Sequence, residues 1–222
     1  MKTDSKIKQD VQDELAWQPG IDESKIGVTV DKGVVTLSGS VDSYTKKMAA
    51  EKAAKSVHGV KAVAEDIEVV YGTSFRKNDT DIAKAAVNAL KWNMTVPDDK
   101  IMIKVEDGWV YLTGELTWEY QKNAAKNALQ HLTGVRGVAN NITLKSTIVP
   151  TDIKSRITKA FERTADFDAN HIKVEVFGHT VKLTGTVRSI KEKNDARWAA
   201  YNAPGVTEVK NELKVQYYTE YA

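Results

Sequence analysis

One eleven-residue stretch occurs three times in the chain. "DKGVVTLSGSV" at 31–41 returns as "EDGWVYLTGEL" at 106–116 and as "FGHTVKLTGTV" at 177–187. Its second glycine falls at Gly39, Gly114 and Gly185, and a Gly-Val pair follows twenty residues after each, at Gly59-Val60, Gly134-Val135 and Gly205-Val206. Ile7, Ile82 and Ile153 keep the same offsets of 75 and 71 residues. A repeat of this period requires a fold that is itself repeated, with each unit small enough to need further packing for stability.

Each copy predicts the secondary structure of the other two. Ile7, Val11 and Leu15 match Ile82, Ala86 and Leu90, and then Ile153, Ile157 and Phe161, at the i, i+4, i+8 spacing of a helix with one apolar face. Ser5, Thr80 and Thr151 precede these helices and suit N-caps. Ile26, Val28, Val30 and their counterparts Ile101, Ile103, Val105 and Ile172, Val174, Val176 alternate with period two, as in a strand with one buried face. A tight glycine turn and a second strand follow, through Val35 and Leu37, Val110 and Leu112, or Val181 and Leu183. Together they predict a β-hairpin.

A second helix then presents Ala50, Ala53, Ala54, Val57 in copy one, Ala125, Ala128, Leu129, Leu132 in copy two, and Ala196, Ala199, Ala200, Ala203 in copy three. Methyl-sized side chains at i, i+3, i+4, i+7 let such a helix lie close to a sheet. Ser189 and Glu192 have capping-box spacing. A last strand runs from Val60 through Ala62, Ala64, Ile67 and Val69, with Val135 to Leu144 and Val206 to Val215 as counterparts. The expected fold class is α+β: three tandem α-β-β-α-β units at 1–72, 77–147 and 150–218, each a small three-stranded mixed sheet packed against two helices.

The glycine-serine run does not make a phosphate loop. Five residues separate Gly33 from Gly39, three of them apolar, and no lysine follows. Gly33, Gly108 and Gly178 suit the hairpin turns, and Gly39, Gly114 and Gly185 suit a close backbone approach. Copy three departs from the others, with His179 where they have Gly33 and Gly108 and its glycine one residue earlier.

The pattern "G-x-V-x-L-x-G-x-V", followed by an alanine-rich helix, "GV" and a closing strand, resembles the BON domain (bacterial OsmY and nodulation) family. Gly33 to Val41 with Gly59-Val60 and Gly108 to Leu116 with Gly134-Val135 carry the resemblance, and Gly178 to Val187 with Gly205-Val206 carry it less closely. It covers nearly the whole chain. It implies a non-catalytic module associated with phospholipid membranes, the cell envelope and osmotic stress. It supplies no catalytic residue.

The residues themselves point the same way. His58, His131, His171 and His179 occupy different places in their copies without paired ligand spacing, and no serine sits in a nucleophile elbow. Neither an enzyme, a metal site nor a cofactor is expected. Cysteine is absent, and the 32 basic residues nearly balance the 30 acidic ones, which gives no general pull toward nucleic acid. No window approaches the ~18 apolar residues of a membrane span, and the charged start lacks a leader, so the chain as written is expected in the cytoplasm, or in the periplasm if a leader has been removed.

Aromatic residues beside lysines supply the one functional signal. Trp17 and Trp92 stand just past the first helices of copies one and two, where copy three has Arg163. Copy two adds Trp109, Tyr111, Trp118 and Tyr120 beside Lys84, Lys91, Lys122 and Lys126. Trp and Tyr suit a water–lipid boundary, and lysines favour anionic headgroups by about 1 kcal/mol each. The expected contact set is therefore Trp17, Trp92, Lys84, Lys91, Trp109, Trp118, Tyr120 and Lys122, toward an anionic phospholipid surface or an envelope protein. Two further readings stay open at this stage: rings that seal small cores or pair chain with chain in a homo-oligomer, and a carrier of a small solute.

Overall fold

The computed structural model describes residues 2–72, 77–145, 152–163 and 171–216. Backbone contacts divide it into two compact units, one of Met1–Ser40, Lys46–Glu68 and Pro150–Ala222, the other of Val41–Thr45 and Val69–Val149. Three repeats are thus distributed over two units. Each repeat is a three-stranded mixed sheet with helices against it, as the periodicities predict.

Copy two shows the unit most completely. Helix α3 (Asp79–Trp92) leads to β4 (Ile101–Glu106) and β5 (Trp109–Leu116), which pair antiparallel from Ile101↔Gly114 to Glu106↔Trp109. Helix α4 (Glu119–Leu129) crosses back to β6 (Gly137–Leu144), which pairs parallel to β5 from Trp109↔Gly137 to Leu116↔Leu144. The apolar face of α3, Ile82, Ala86 and Leu90, is buried with Val110, Leu112, Ala125, Leu129 and Ile142. Copy one repeats the order with α1 (Asp4–Trp17), β1 (Ile26–Asp31), β2 (Val34–Val41), α2 (Tyr44–Ser56) and β3 (Ala62–Val69). Copy three repeats it with α5 (Ile153–Arg163), β7 (Ile172–Phe177), β8 (Thr180–Val187) and α6 (Ile190–Tyr201). Its last strand is broken into β9 (Glu208–Asn211) and β10 (Lys214–Val215), both parallel to β8.

The hairpin turns explain why two copies share a glycine position and the third does not. Lys32 (φ 49°) with Gly33 (φ 82°), and Asp107 (φ 50°) with Gly108 (φ 78°), have positive φ at both central residues, as a type I′ turn requires. A non-glycine residue there is disfavoured by about 1–2 kcal/mol. The carboxylate of Asp4 offsets that cost by accepting the N–H groups of Lys32 and Gly33 at 2.7 and 2.9 Å, and Asp79 does the same for Asp107 and Gly108 at 2.8 and 2.9 Å. The equivalent position in copy three is Pro150, which has no carboxylate. Its turn instead takes positive φ at Gly178 (59°), the first central residue, in the manner of a type II′ turn. His179 then bonds through Nδ1 to the carbonyl of Gly205 at 2.6 Å.

Gly39, Gly114 and Gly185 lie inside the second strands. A Cβ at Gly114 (φ 145°) would stand 2.1 Å from the Lys100 carbonyl oxygen, so the chain tolerates no side chain there.

Three expectations are corrected. The N-caps are Thr3 and Asn78, whose side chains accept from Lys6 N–H (3.3 Å) and Asp81 N–H (2.8 Å); Ser5 and Thr80 fall within the first turn, because the helices begin at the clamp residues Asp4 and Asp79. Thr151 lies outside the described residues. Trp17 and Trp92 are the last residues of their helices rather than the first beyond them. In β3, to which the sequence assigned no buried face, Ala62 and Ala64 point outward, and Val63, Glu65, Ile67 and Val69 form the inward set. At Ser189 the cap is half as expected: Ser189 Oγ accepts Glu192 N–H at 3.0 Å, while the Glu192 carboxylate reaches Arg188 N–H at 2.6 Å instead of closing on Ser189.

Candidate contact surface

In the second unit the candidate residues fall into three clusters. The first is the exposed side and end of α3. Lys84, Val87 and Lys91 share its solvent face, and Trp92 closes it with 85% of its surface exposed, followed by a fully exposed Met94. The helix ends there because Asn93 turns to extended backbone, its N–H bonding back to Leu90 O at 3.0 Å. Burying such rings and thioether in water-free surroundings gains about 1.5–3 kcal/mol each. Trp17 repeats the arrangement in the first unit at the end of α1, 82% exposed.

The second cluster covers the outer face of the sheet. Strand alternation sends Met102 and Lys104 of β4 and Trp109 and Tyr111 of β5 to the side away from the buried core. Lys104 lies opposite Tyr111 and holds its ammonium 5.7 Å from the ring centroid while pairing with Glu106 at 2.8 Å. The hydrogen bond and charge of Glu106 raise the Lys104 pKa above its ordinary value. Trp109 is 43% exposed, because its ring lies across the chain to Gly137, where a Cβ would meet it at 2.4 Å.

The third cluster opens α4. Trp118 and Tyr120 stack tilted at 30° with centroids 6.1 Å apart. Gln121 Oε1 accepts the Trp118 N–H at 3.2 Å. Lys122 is half-buried, and its carbonyl receives Nδ2 of Asn140 at 2.7 Å, so its backbone secures β6 to α4. Trp118 and Lys122 are therefore more enclosed than the sequence suggests, whereas Met94, Met102 and Lys104, absent from the expected set, are exposed. Met102 could have been found from its outward place in "IMIKV".

The three copies differ most on these outer sheet faces. Equivalent positions in copy one are Gly27, Thr29, Val34 and Thr36, small and mostly polar. In copy three they are Lys173, Glu175, Thr180 and Lys182, with Lys173 paired to Glu175 at 2.8 Å and Lys182 to Glu212 at 3.0 Å. Copy three adds an exposed Phe177 at the end of β7, and copy two alone carries two aromatic residues, Trp109 and Tyr111, at these four positions.

The described residues also form two clefts. One, of about 250 Å³ in the second unit, is lined by Asp42, Ser43, Thr45, Tyr71, Gln130 and His131. Tyr71 donates its hydroxyl to Val135 O at 2.6 Å, and burial raises its phenol pKa. The other, of about 310 Å³ in copy three, lies between α5 and α6. Among the described residues no group of three or more His, Asp or Glu side chains could hold a metal ion, and no helix is long and apolar enough to cross a membrane.

The α-β-β-α-β unit is that of a known module. Residues 3–71, 78–146 and 151–217 each match the BON domain, and the chain belongs to the BON domain family. Among its relatives is the osmotically inducible protein Y of Escherichia coli (strain K12), 31% identical over 149 residues that span 64% of this chain and 73% of that protein. Similar solved structures are CdsD, a structural protein of the type III secretion system of Chlamydia trachomatis, and its C-terminal domain. The first is 17% identical with a TM-score of 0.24, covering 92% of this chain and 90% of that one. The second is 16% identical with a TM-score of 0.26, covering 96% and 98%. Superpositions this loose transfer neither geometry nor role.

Proposed function

We propose that the protein is a non-catalytic, stress-associated binding protein whose second BON module engages an anionic phospholipid surface. The observation that carries this reading is the end of α3, where Trp92 and Met94 stand almost wholly in water beside Lys91, with Val87 and Lys84 on the same helix. Apolar side chains at a tip flanked by lysines can enter the interfacial layer while the ammonium groups stay with the headgroups. The relationship to an osmotically inducible protein supports the stress association.

Flotation with vesicles tests this. The chain should co-migrate with phosphatidylglycerol-containing vesicles and remain behind with phosphatidylcholine alone. Trp92→Ala with Lys91→Gln should abolish co-migration, and Trp118→Ala should weaken it less because Trp118 is half-buried. Co-migration untouched by these changes would sink the reading.

A second reading rests on Met102 and Trp109. An exposed aromatic sheet face beside the edge strand β4 suits pairing with another copy of the chain. Solution mass separates the two, since a strict monomer removes it.

A further inference from the structure

The helix cleft of copy three is open and lined by cations. Arg156, Lys159 and Arg163 line one wall, and Ala199, Asn202, Ala203 and Pro204 the other, over Ile157 and Ala160. The positions of the three cations are Asp10, Asp13 and Trp17 in copy one, and Ala85, Asn88 and Trp92 in copy two. Across the cleft, Ala203 replaces Val57 and Leu132. The shorter side chain leaves room between the helices at the same place where the wall becomes basic.

Helix α5 carries Lys154, Arg156, Lys159 and Arg163 against Glu162, a net of 4 − 1 = +3. Like charges three and four residues apart disfavour a helix by about 0.2–0.5 kcal/mol per pair. Among the described residues, Arg156, Lys159 and Arg163 make no ion pair, whereas Asp10, at the first of these positions in copy one, is bonded by Lys2 at 2.7 Å and Lys6 at 2.9 Å. Repulsion is thus concentrated on an apolar-floored cleft, and an anion placed there would relieve it.

We infer that this cleft binds a small anionic amphiphile, a carboxylate or phosphate monoester carrying a short apolar body. The guanidinium groups of Arg156 and Arg163 suit a carboxylate or phosphate as forked donors, with Lys159 between them as a point charge. Ile157, Ala160, Ala199 and Ala203 take the apolar part, and about 310 Å³ admits a short chain or one ring. The site is independent of the vesicle contact at copy two.

Calorimetric titration of the full chain at low salt tests the assignment, with octanoate and octyl phosphate as probes below their micelle concentrations. Both should bind one per chain, and octyl glucoside and inorganic phosphate should bind at least about tenfold more weakly, the first for lack of charge and the second for lack of an apolar body. The triple change Arg156→Gln, Lys159→Gln, Arg163→Gln, at exposed positions, should weaken octanoate by about tenfold or more. Ala203→Leu, copying Leu132, should block it while every charge remains. Equal binding of octanoate and octyl glucoside, equal binding of octyl phosphate and inorganic phosphate, indifference to the triple change, or no heat up to about 10 mM ligand would each overturn it.

Discussion

At residue scale the fold depends on a carboxylate that reaches from a helix start to a hairpin tip. Asp79 satisfies two N–H groups of a turn that holds a non-glycine residue at positive φ. Asp79→Ala should lower the denaturant midpoint of the second unit by the equivalent of about 1–3 kcal/mol, the worth of hydrogen bonds to a charged group. Amide exchange at Asp107 and Gly108 should accelerate in the same variant. An unchanged exchange rate at those two amides would refute the clamp. Gly114→Ala should do more harm, at least about 3 kcal/mol, because its Cβ would sit 2.1 Å from a backbone oxygen and the strand pair must part to admit it. The glycine was legible from its threefold recurrence. The clamp was not, since its partners are 28 and 29 residues apart and an Asp at a helix start has an ordinary local explanation.

At the scale of elements, period and spacing placed the helices, strands and hairpins, because each copy averages out the noise of the others. They left the inward face of β3 unassigned. There the buried side holds Glu65, and β6 and β9 hold Asn140 and Asn211 at the same position, so the alternation is broken by a polar residue and the outward Ala62 and Ala64 look like core. The asparagines have a definite task. Nδ2 of Asn140 donates to Lys122 O and Nδ2 of Asn211 to Lys193 O, each at 2.7 Å, joining the last strand to its helix. Asn140→Leu should leave the Lys122 carbonyl without this donor. Urea unfolding should register a loss of about 1–2 kcal/mol despite the gain in hydrophobicity. Copy one reaches a related end by another route, with Lys47 Nζ on Ile67 O at 2.7 Å.

For the whole molecule, three copies preserve one core and diverge on their surfaces. Ile7, Ile82 and Ile153 are all buried, whereas the outer sheet faces are small and mostly polar in copy one, aromatic in copy two, and charged around a single Phe177 in copy three. Ser155, Thr158, Glu162 and Arg163 stand in copy three where α3 carries Lys84, Val87, Lys91 and Trp92. Ser155→Lys, Thr158→Val, Glu162→Lys and Arg163→Trp together, in a chain that already carries Trp92→Ala and Lys91→Gln, should restore vesicle contact at copy three without loss of folding. Flotation checks this, with circular dichroism as the control for the fold. The exposure of Trp17 and Trp92 was readable, because they recur at one place in the repeat, a signal of position. Enclosure of Trp118 and Lys122, and exposure of Met94 and Met102, depend on packing across strands and could not be seen in one dimension.

The ring of Trp109 lying over Gly137 separates two kinds of surface tryptophan. Trp92 at the helix end has no such neighbour and would surrender rotamer freedom when it enters another phase, whereas Trp109 has already surrendered it. A partner on the sheet face would meet a surface whose ordering cost folding has met, and contact there would be limited by shape and desolvation instead of by entropy. Ala62 and Glu208, which stand at the Gly137 position in the other copies, deny them that arrangement.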